Sequence, residues 1–271
     1  MSLLAVAEEA AIAAGELLRE RFEAGVERAL RTKSTPTDLV SAADLAAEAA
    51  IREVLTARRP DDAVLGEEGA TSSPSVDVAP SATSTALASI GGGGYLWVVD
   101  PLDGTLNFLH GLPAWCVSVA VRDADGPVAG VILDPLRGEL FAASRDGEAR
   151  LGEAVLGGSA CTELAQAIVG TGFAYEAQVR GGQGEAVARL LPRIANLRRT
   201  GACALDLAWT AAGRLDAFYE RAVQEWDVAA GELICARAGL VVERMPAVDG
   251  MPAGILAAPP AFADDLRAVV G

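Results

Sequence analysis

Two residue types are almost missing from this chain. Of its 22 basic residues only Lys33 is a lysine, the rest being arginine, and His110 is the single histidine. A lone ammonium in an arginine-rich chain fits equally a tight site that the planar guanidinium cannot fill and a surface lysine present by chance. The four cysteines, Cys116, Cys161, Cys203 and Cys235, are scattered singly. No pair has zinc-site spacing and no disulfide framework is implied, which fits reduced thiols in a cytoplasmic protein. No apolar run approaches the roughly 20 residues of a transmembrane helix. The stretch Leu3 to Phe22 is apolar but broken by Glu8, Glu9 and Glu16. Without a basic start it reads as an amphipathic helix of the mature fold, not as a secretion leader. Positive charge is also scarce: 22 basic against 37 acidic residues leave a net −15. That disfavours direct nucleic-acid binding and attachment to an anionic membrane.

What is abundant is apolar residue, 51% of 271 positions, enough for a sizeable core. The expectation is one domain, 1–271, with two subdomains of roughly 1–180 and 181–271. Helical periodicity runs from about Leu3 to Phe22, and residues 26–32 read as strand or loop. Lys33-Ser-Thr-Pro-Thr-Asp38-Leu-Val reads as a turn. Ser41, three residues before Asp44, resembles a capping box for a helix that stops at Pro60. Residues 70–94, rich in Ser, Ala, Thr, Pro and Gly, have no hydrophobic period and read as a mobile surface loop. Strands are expected at Trp115–Val121, Val128–Leu133, Gly138–Ala143 and Ala149–Leu156, with turns at Asp125-Gly126 and Asp146-Gly147. A strand at Ala167–Gly170 follows. Helices near 182–195, 203–212, 227–238 and 260–269 then alternate with strands near 215–219, 240–243 and 254–258, which gives a mixed α/β class.

Acids stand at the punctuation of this pattern. The apolar run Tyr95–Val99 reads as a buried strand, Ala63–Leu65 as another, and Asp100-Pro-Leu-Asp103-Gly-Thr105 follows the first directly. Two carboxylates at a strand end, with a Gly-Thr pair opening a helix, suit a divalent cation bridged to a phosphate. Gly66-Glu67-Glu68-Gly69 follows Ala63–Leu65, and Glu225-Trp-Asp227 opens the helix Val228–Ala238. The segment Lys33 to Asp44 adds Asp38 in the turn and Asp44 at the helix start. Each alone has a plain explanation: a solvated turn for Glu67-Glu68, an N-cap for Asp227, helix-start electrostatics for Asp44. Their joint occurrence points to Mg²⁺, whose ligands are oxygens.

In that order the chain resembles the inositol monophosphatase family, lithium-sensitive and magnesium-dependent phosphatases, especially its bacterial members. Asp100-Pro-Leu-Asp-Gly-Thr-Leu-Asn107-Phe matches one signature and Trp226-Asp-Val-Ala-Ala-Gly231 the other. Gly66-Glu-Glu, Lys33 to Val40 and Arg198 to Glu220 match further segments, so the likeness covers the chain from about residue 3, apart from 70–94. It implies an α/β (α+β) fold, the layered αβαβα sandwich of sugar phosphatases, and commonly a homodimer. It implies hydrolysis of a small polyol or sugar phosphate, inositol 1-phosphate by default, by metal-activated water. It places Glu67, Asp100 and the Leu102 carbonyl on one Mg²⁺ and Asp100, Asp103 and Asp227 on a second, with Glu67 near a weaker third. Glu68, Asp44 and Thr105 would form the catalytic network, and the N–H groups of Gly104 and Thr105 would receive phosphate. Asp103, Gly201, Cys203, Glu220 and Asp227 would contact the substrate. His110 is expected to be a helix-end residue packing near the site, and Lys33 to lie near the acids.

The motifs leave the substrate open. Histidinol phosphate, fructose 1,6-bisphosphate and 3′-phosphoadenosine nucleotides are alternatives. A regulatory binding protein of transcription or ribosome assembly is an alternative of another class. Departures from the family pattern are Arg237-Ala-Gly-Leu240 after the second signature, Glu225 beside it, and Cys203 where a small residue is common.

Overall fold

A computed structural model of the chain describes residues 1–25, 42–69, 94–248 and 250–271, and the backbone of 31–32 and 39–40. Lys33, Asp38, Ser41 and residues 70–93 of the expected loop lie outside the described residues. Helix α1 (Leu3–Glu23) begins where the Ser2 hydroxyl accepts the Ala5 N–H at 3.2 Å, which satisfies a donor of the first turn. Val6, Ala7, Ala10, Ala11, Ala14 and Leu18 form its buried face, at helical spacing. It packs against α2 (Ala42–Arg58). The short strands β1 (Arg31–Thr32) and β2 (Leu39–Val40) pair antiparallel.

Seven strands form the first sheet in chain order: β3 (Ala63–Gly66), β4 (Leu96–Asp103), β5 (Cys116–Asp123), β6 (Gly126–Asp134), β7 (Glu139–Ser144), β8 (Arg150–Leu151) and β9 (Ala154–Val155). Only the β3–β4 pair in it is parallel. On β4, Trp97 and Val99 face the α1–α2 layer while Leu96 and Val98 enter a second core. Burial on both faces is why this strand reads as an unbroken apolar run instead of an alternating one.

The short helix α3 (Thr105–Leu109) follows β4. The second sheet holds β10 (Ile168–Thr171), β11 (Asn196–Arg198), β12 (Ala217–Arg221), β13 (Val241–Met245) and β14 (Gly254–Ala258), in spatial order β11-β10-β12-β14-β13. Between the sheets lie two helices that come from its crossovers, with α4 (Ala177–Leu190) preceding them in the chain: α5 (Cys203–Ala211) and α6 (Glu225–Arg237). Their core joins Val98, Cys116 and Ile132 of the first sheet to Phe218, Ile255 and Ala257 of the second. Helices α4 and α7 (Ala263–Val270) cover the outer face of the second sheet. The layers are therefore α1–α2, seven strands, α5–α6, five strands, α4–α7: an αβαβα sandwich. Helix α6 lies directly on β6, because a Cβ on Gly130 would fall 2.8 Å from the Ala230 Cα.

Three expected boundaries differ. Helix α4 starts at Ala177, five residues ahead of the expected 182, because Gly181, Gly182 and Gly184 weaken its helical signal. Residues 149–156 form two short strands about a turn at Gly152, φ +56°, instead of one strand. Strand β11 went unread, since an edge strand with exposed Asn196 and Arg198 has no apolar alternation.

Candidate active site

The site begins where β3 and β4 end together. Their parallel register pairs Gly66 with Val99, and the Glu67 N–H continues the ladder to the Val99 carbonyl at 3.2 Å. Glu67, just past the end of β3, thus stands beside Asp100 in the second half of β4. The β4–β5 register shifts between Asp100 and Asp103. Pro101 has no N–H to offer the ladder, and the Leu102 N–H turns inward to Asp100 Oδ1 at 3.0 Å. Gly104 then takes φ +93°, and a Cβ there would fall 2.9 Å from the Ala114 carbonyl oxygen. Only glycine accepts both constraints. Thr105 opens α3 with its hydroxyl 2.8 Å from Asp44 Oδ1 and 3.1 Å from the Leu102 carbonyl. Asp44, from the first turn of α2, is fully buried.

Asp103 turns toward α5. Its Oδ1 accepts the Cys203 N–H at 3.1 Å and its Oδ2 the Ala204 N–H at 2.7 Å, favourable for an anion at a helix start. The Cys116 thiol also donates to Oδ2, at 3.5 Å. Asp227 is the third residue of α6, inside the helix and not ahead of it; its Oδ2 accepts the Gln224 N–H at 2.6 Å. Ser118, opposite Asp100 across the β4–β5 pair, donates to the Trp226 carbonyl at 3.4 Å, which ties the start of α6 to the acid-bearing strand. The Glu68 N–H donates to Glu48 Oε2 at 2.8 Å, and Arg52 pairs with Glu48 Oε1 at 2.8 Å. The flanking glycines leave room for that carboxylate: a Cβ on Gly66 or Gly69 would fall 2.5 Å from it.

The 199–206 segment closes the other side. Asn107 Nδ2 donates to the Ala114 carbonyl at 2.6 Å and the Thr200 carbonyl at 2.9 Å, joining α3 to this segment. Gly201 follows at φ +93°. Glu220, on β12, lies against Gly172, where any Cβ would collide with its carboxylate.

The acids act on one another electrostatically. Burial, then the charges of Glu67, Asp103 and Asp227, push Asp100 well above the usual carboxylate range. Burial raises Asp103 to about 6 against the opposing N–H groups of Ala204 and Leu205. Burial, then Asp227, Asp206 and Asp103, raise Glu220, with Arg199 opposing. Burial and then the charge of Glu220 push the Cys203 thiol up. The sequence-expected residues Glu67, Asp100, Asp103, Cys203, Glu220 and Asp227 therefore share one electrostatic neighbourhood, with Thr105 and Asp44 hydrogen-bonded beside it. His110 is a helix-end residue as expected, but its side chain is exposed and not packed. Among the described residues, no three Asp, Glu, His or Cys side chains form a group that could by itself hold a metal ion.

Three residues of the neighbourhood escaped the sequence reading. Glu48 looked like the polar face of α2, and its only signal was the glycine on each side of Glu67-Glu68. Asn107 stood inside the first motif with no role attached. Asp206, 1% exposed, has a buried Oδ1 without a hydrogen-bond partner among the described residues. Burial raises it to about 8. Nothing in Ala-Leu-Asp206-Leu distinguishes it from a polar helix position.

The sequence matches the model of the inositol monophosphatase family over residues 1–269. It is 39% identical over 281 aligned residues to Mycobacterium tuberculosis inositol-1-monophosphatase SuhB, covering 99% of this chain and 93% of the relative. It is 37% identical over 242 to the Escherichia coli Nus factor SuhB, covering 89% and 84%. The crystal structure of extragenic suppressor protein suhB from Bartonella henselae superposes with a TM-score of 0.83 at 32% identity, covering 100% of this chain and 98% of that one. Fold, motif order and whole-length similarity agree: the chain belongs to the inositol monophosphatase family and is a phosphoric monoester hydrolase.

Proposed function

We propose that the chain hydrolyses the phosphate monoester of a small polyol or sugar, inositol 1-phosphate first, with two or three Mg²⁺ ions as cofactor. The observation that supports this best is the convergence of Glu67, Asp100, Asp103 and Asp227, from the turn after β3, from β4 and from α6, beside the Thr105–Asp44 hydrogen bond. The donor set fits the ion. Every donor is a carboxylate or carbonyl oxygen, and Asp100 is buried among three like charges that a cation would offset. That no three of these side chains are preassembled around an ion is compatible, since Mg²⁺ usually retains waters and completes its shell with substrate phosphate. Glu67, Asp100 and the Leu102 carbonyl would hold one ion, Asp100, Asp103 and Asp227 a second, and Glu67 would border a third.

Bound Mg²⁺ supplies Lewis acidity that lowers the pKa of water and offsets charge on the departing oxygen. The protein supplies orientation. In this reading the Thr105 hydroxyl, held by Asp44, aligns the attacking water, and Glu68 belongs to the network that accepts its proton. The N–H groups of Gly104 and Thr105 receive the phosphoryl oxygens. Asp103, Gly201, Cys203, Glu220 and Asp227 bound the alcohol. Glu220 suits a hydroxyl or an ammonium group, so it separates the candidates poorly.

The deciding experiment is a substrate panel in Mg²⁺: inositol 1-phosphate, histidinol phosphate, fructose 1,6-bisphosphate and a 3′-phosphoadenosine nucleotide. The reading expects the highest kcat/KM on inositol 1-phosphate; a clear preference for histidinol phosphate overturns that substrate. Inhibition by lithium and a dimer mass in light scattering belong to the same proposal, and a lithium-insensitive monomer would contradict both. The name of the Escherichia coli relative, Nus factor SuhB, supports a second, compatible role in transcription. That role requires a transcription partner whose binding survives Asp100→Asn, and its absence removes the role.

A further inference from the structure

A small cavity lies on the outer side of the second sheet, away from the catalytic acids. Thr171, Gln183, Arg189, Tyr219, Arg221 and Met251 are among its lining residues. Strand alternation separates it from the acids. On β12, Phe218 packs into the inter-sheet core, which places Glu220 on that side, while Tyr219 packs toward α4 and α7 with Arg221 on the same face.

Two lining groups lack the partners their burial calls for. Arg221 is 5% exposed and is the one buried arginine among the described residues. Its Nη1 donates to the carbonyls of Pro246 and Pro252, both at 3.0 Å. No carboxylate of the described residues pairs with it, whereas the partly buried Arg52, Arg122 and Arg145 each hold an acid. Burial pushes its pKa down with no acid opposing the shift. The Tyr219 hydroxyl is likewise buried, with the Thr171 side chain as its polar neighbour and no full hydrogen bond to it. A buried guanidinium with no counter-charge and a poorly satisfied hydroxyl are both unfavourable, and one anion would satisfy both. Arg189, exposed on α4, adds a second positive charge at the rim, held by a 3.4 Å bond from Nε to the Val269 carbonyl. Gly271 borders the cavity too, but its carboxylate makes no ion pair with either arginine.

The cavity volume is about 50 Å³. One water needs roughly 10–15 Å³ of such space, so about three or four oxygens fit. That is the size of a tetrahedral oxyanion. We propose that this cavity binds an oxyanion of the phosphate class through Arg189, Arg221 and the Tyr219 hydroxyl, as a second site distinct from the catalytic acids. A guanidinium presents its donors in a planar fork that matches phosphate oxygens. Elsewhere the net charge of −15 repels anions, so binding requires such a local pair of cations. The site stands on the arginines and the tyrosine alone and does not depend on the substrate of the enzyme.

The test is calorimetric titration of inorganic phosphate into the full chain carrying Asp100→Asn, in excess chelator, so that metal-dependent binding at the acids is silent. One saturable site is expected. Adding Arg189→Gln, a surface change that leaves the fold intact, weakens it at least tenfold, and Tyr219→Phe weakens it as well. A parallel arm with glycerol 1-phosphate identifies the source. Equal binding supports the site and assigns it to a phosphoryl group carried on a larger molecule; binding of inorganic phosphate alone supports it and assigns free phosphate. No saturable phosphate binding, or an affinity unchanged by Arg189→Gln, overturns the proposal.

Discussion

Thr105 places one hydroxyl within hydrogen-bond reach of both the Asp44 carboxylate and the Leu102 carbonyl. If that hydroxyl aligns the attacking water, Thr105→Ser keeps most activity while Thr105→Val, similar in shape, lowers kcat by about 10²–10⁴-fold. Steady-state kinetics on both variants checks this, and equal activities would remove the hydroxyl from the mechanism. Asp206 makes a separate prediction. Burial raises its pKa from the ordinary carboxylate value of about 3.9 to about 8 on folding. Between those values the folded chain holds a proton that the unfolded chain has lost, so this group makes stability fall as pH rises, by up to about 1.4 kcal/mol per unit. Asp206→Asn should therefore gain urea resistance over the parent at pH 8 and much less at pH 5; an equal difference at both would contradict it. The acids of the two motifs were legible because residue type, spacing and order are written in the chain. Glu48 and Asp206 were not, because what singles them out is burial, which arises only when distant segments pack.

At the scale of elements, the site depends on how closely α6 approaches the first sheet. Gly130 of β6 permits that approach. Gly130→Val should push α6 outward, destabilise the fold by about 1–3 kcal/mol, and lower kcat/KM through displacement of Asp227, where misplacement by about 1 Å can cost 10²-fold. Denaturation and kinetics on the same variant separate the two effects, and full activity would show that Asp227 tolerates the shift. Strand β4 was readable because burial on both faces leaves a continuous apolar run. The start of α4 and the strand β11 were not: glycines blur the helical period in one, and solvent-facing side chains erase the alternation in the other. Tertiary contact holds both in place, α4 through its packing with α7 and β11 through its parallel pairing with β10.

The whole molecule brings the ends of the first sheet and the starts of α5 and α6 to one place, because both helices are clamped between the two sheets. Five alternating layers were legible only through the resemblance; the sequence pattern by itself reached a mixed α/β class. No described helix is long and apolar enough to cross a membrane. The central claim is that acids from the turn after β3, from β4 and from α6 form one metal centre for phosphomonoester hydrolysis. Its most direct test is phosphate release from inositol 1-phosphate, titrated with Mg²⁺, for the parent and for Asp100→Asn. The account predicts saturable Mg²⁺ dependence, no turnover in chelator, and Asp100→Asn slower by at least about 10²-fold at every Mg²⁺ concentration. Turnover that survives the chelator, or full activity of Asp100→Asn in ample Mg²⁺, would contradict it.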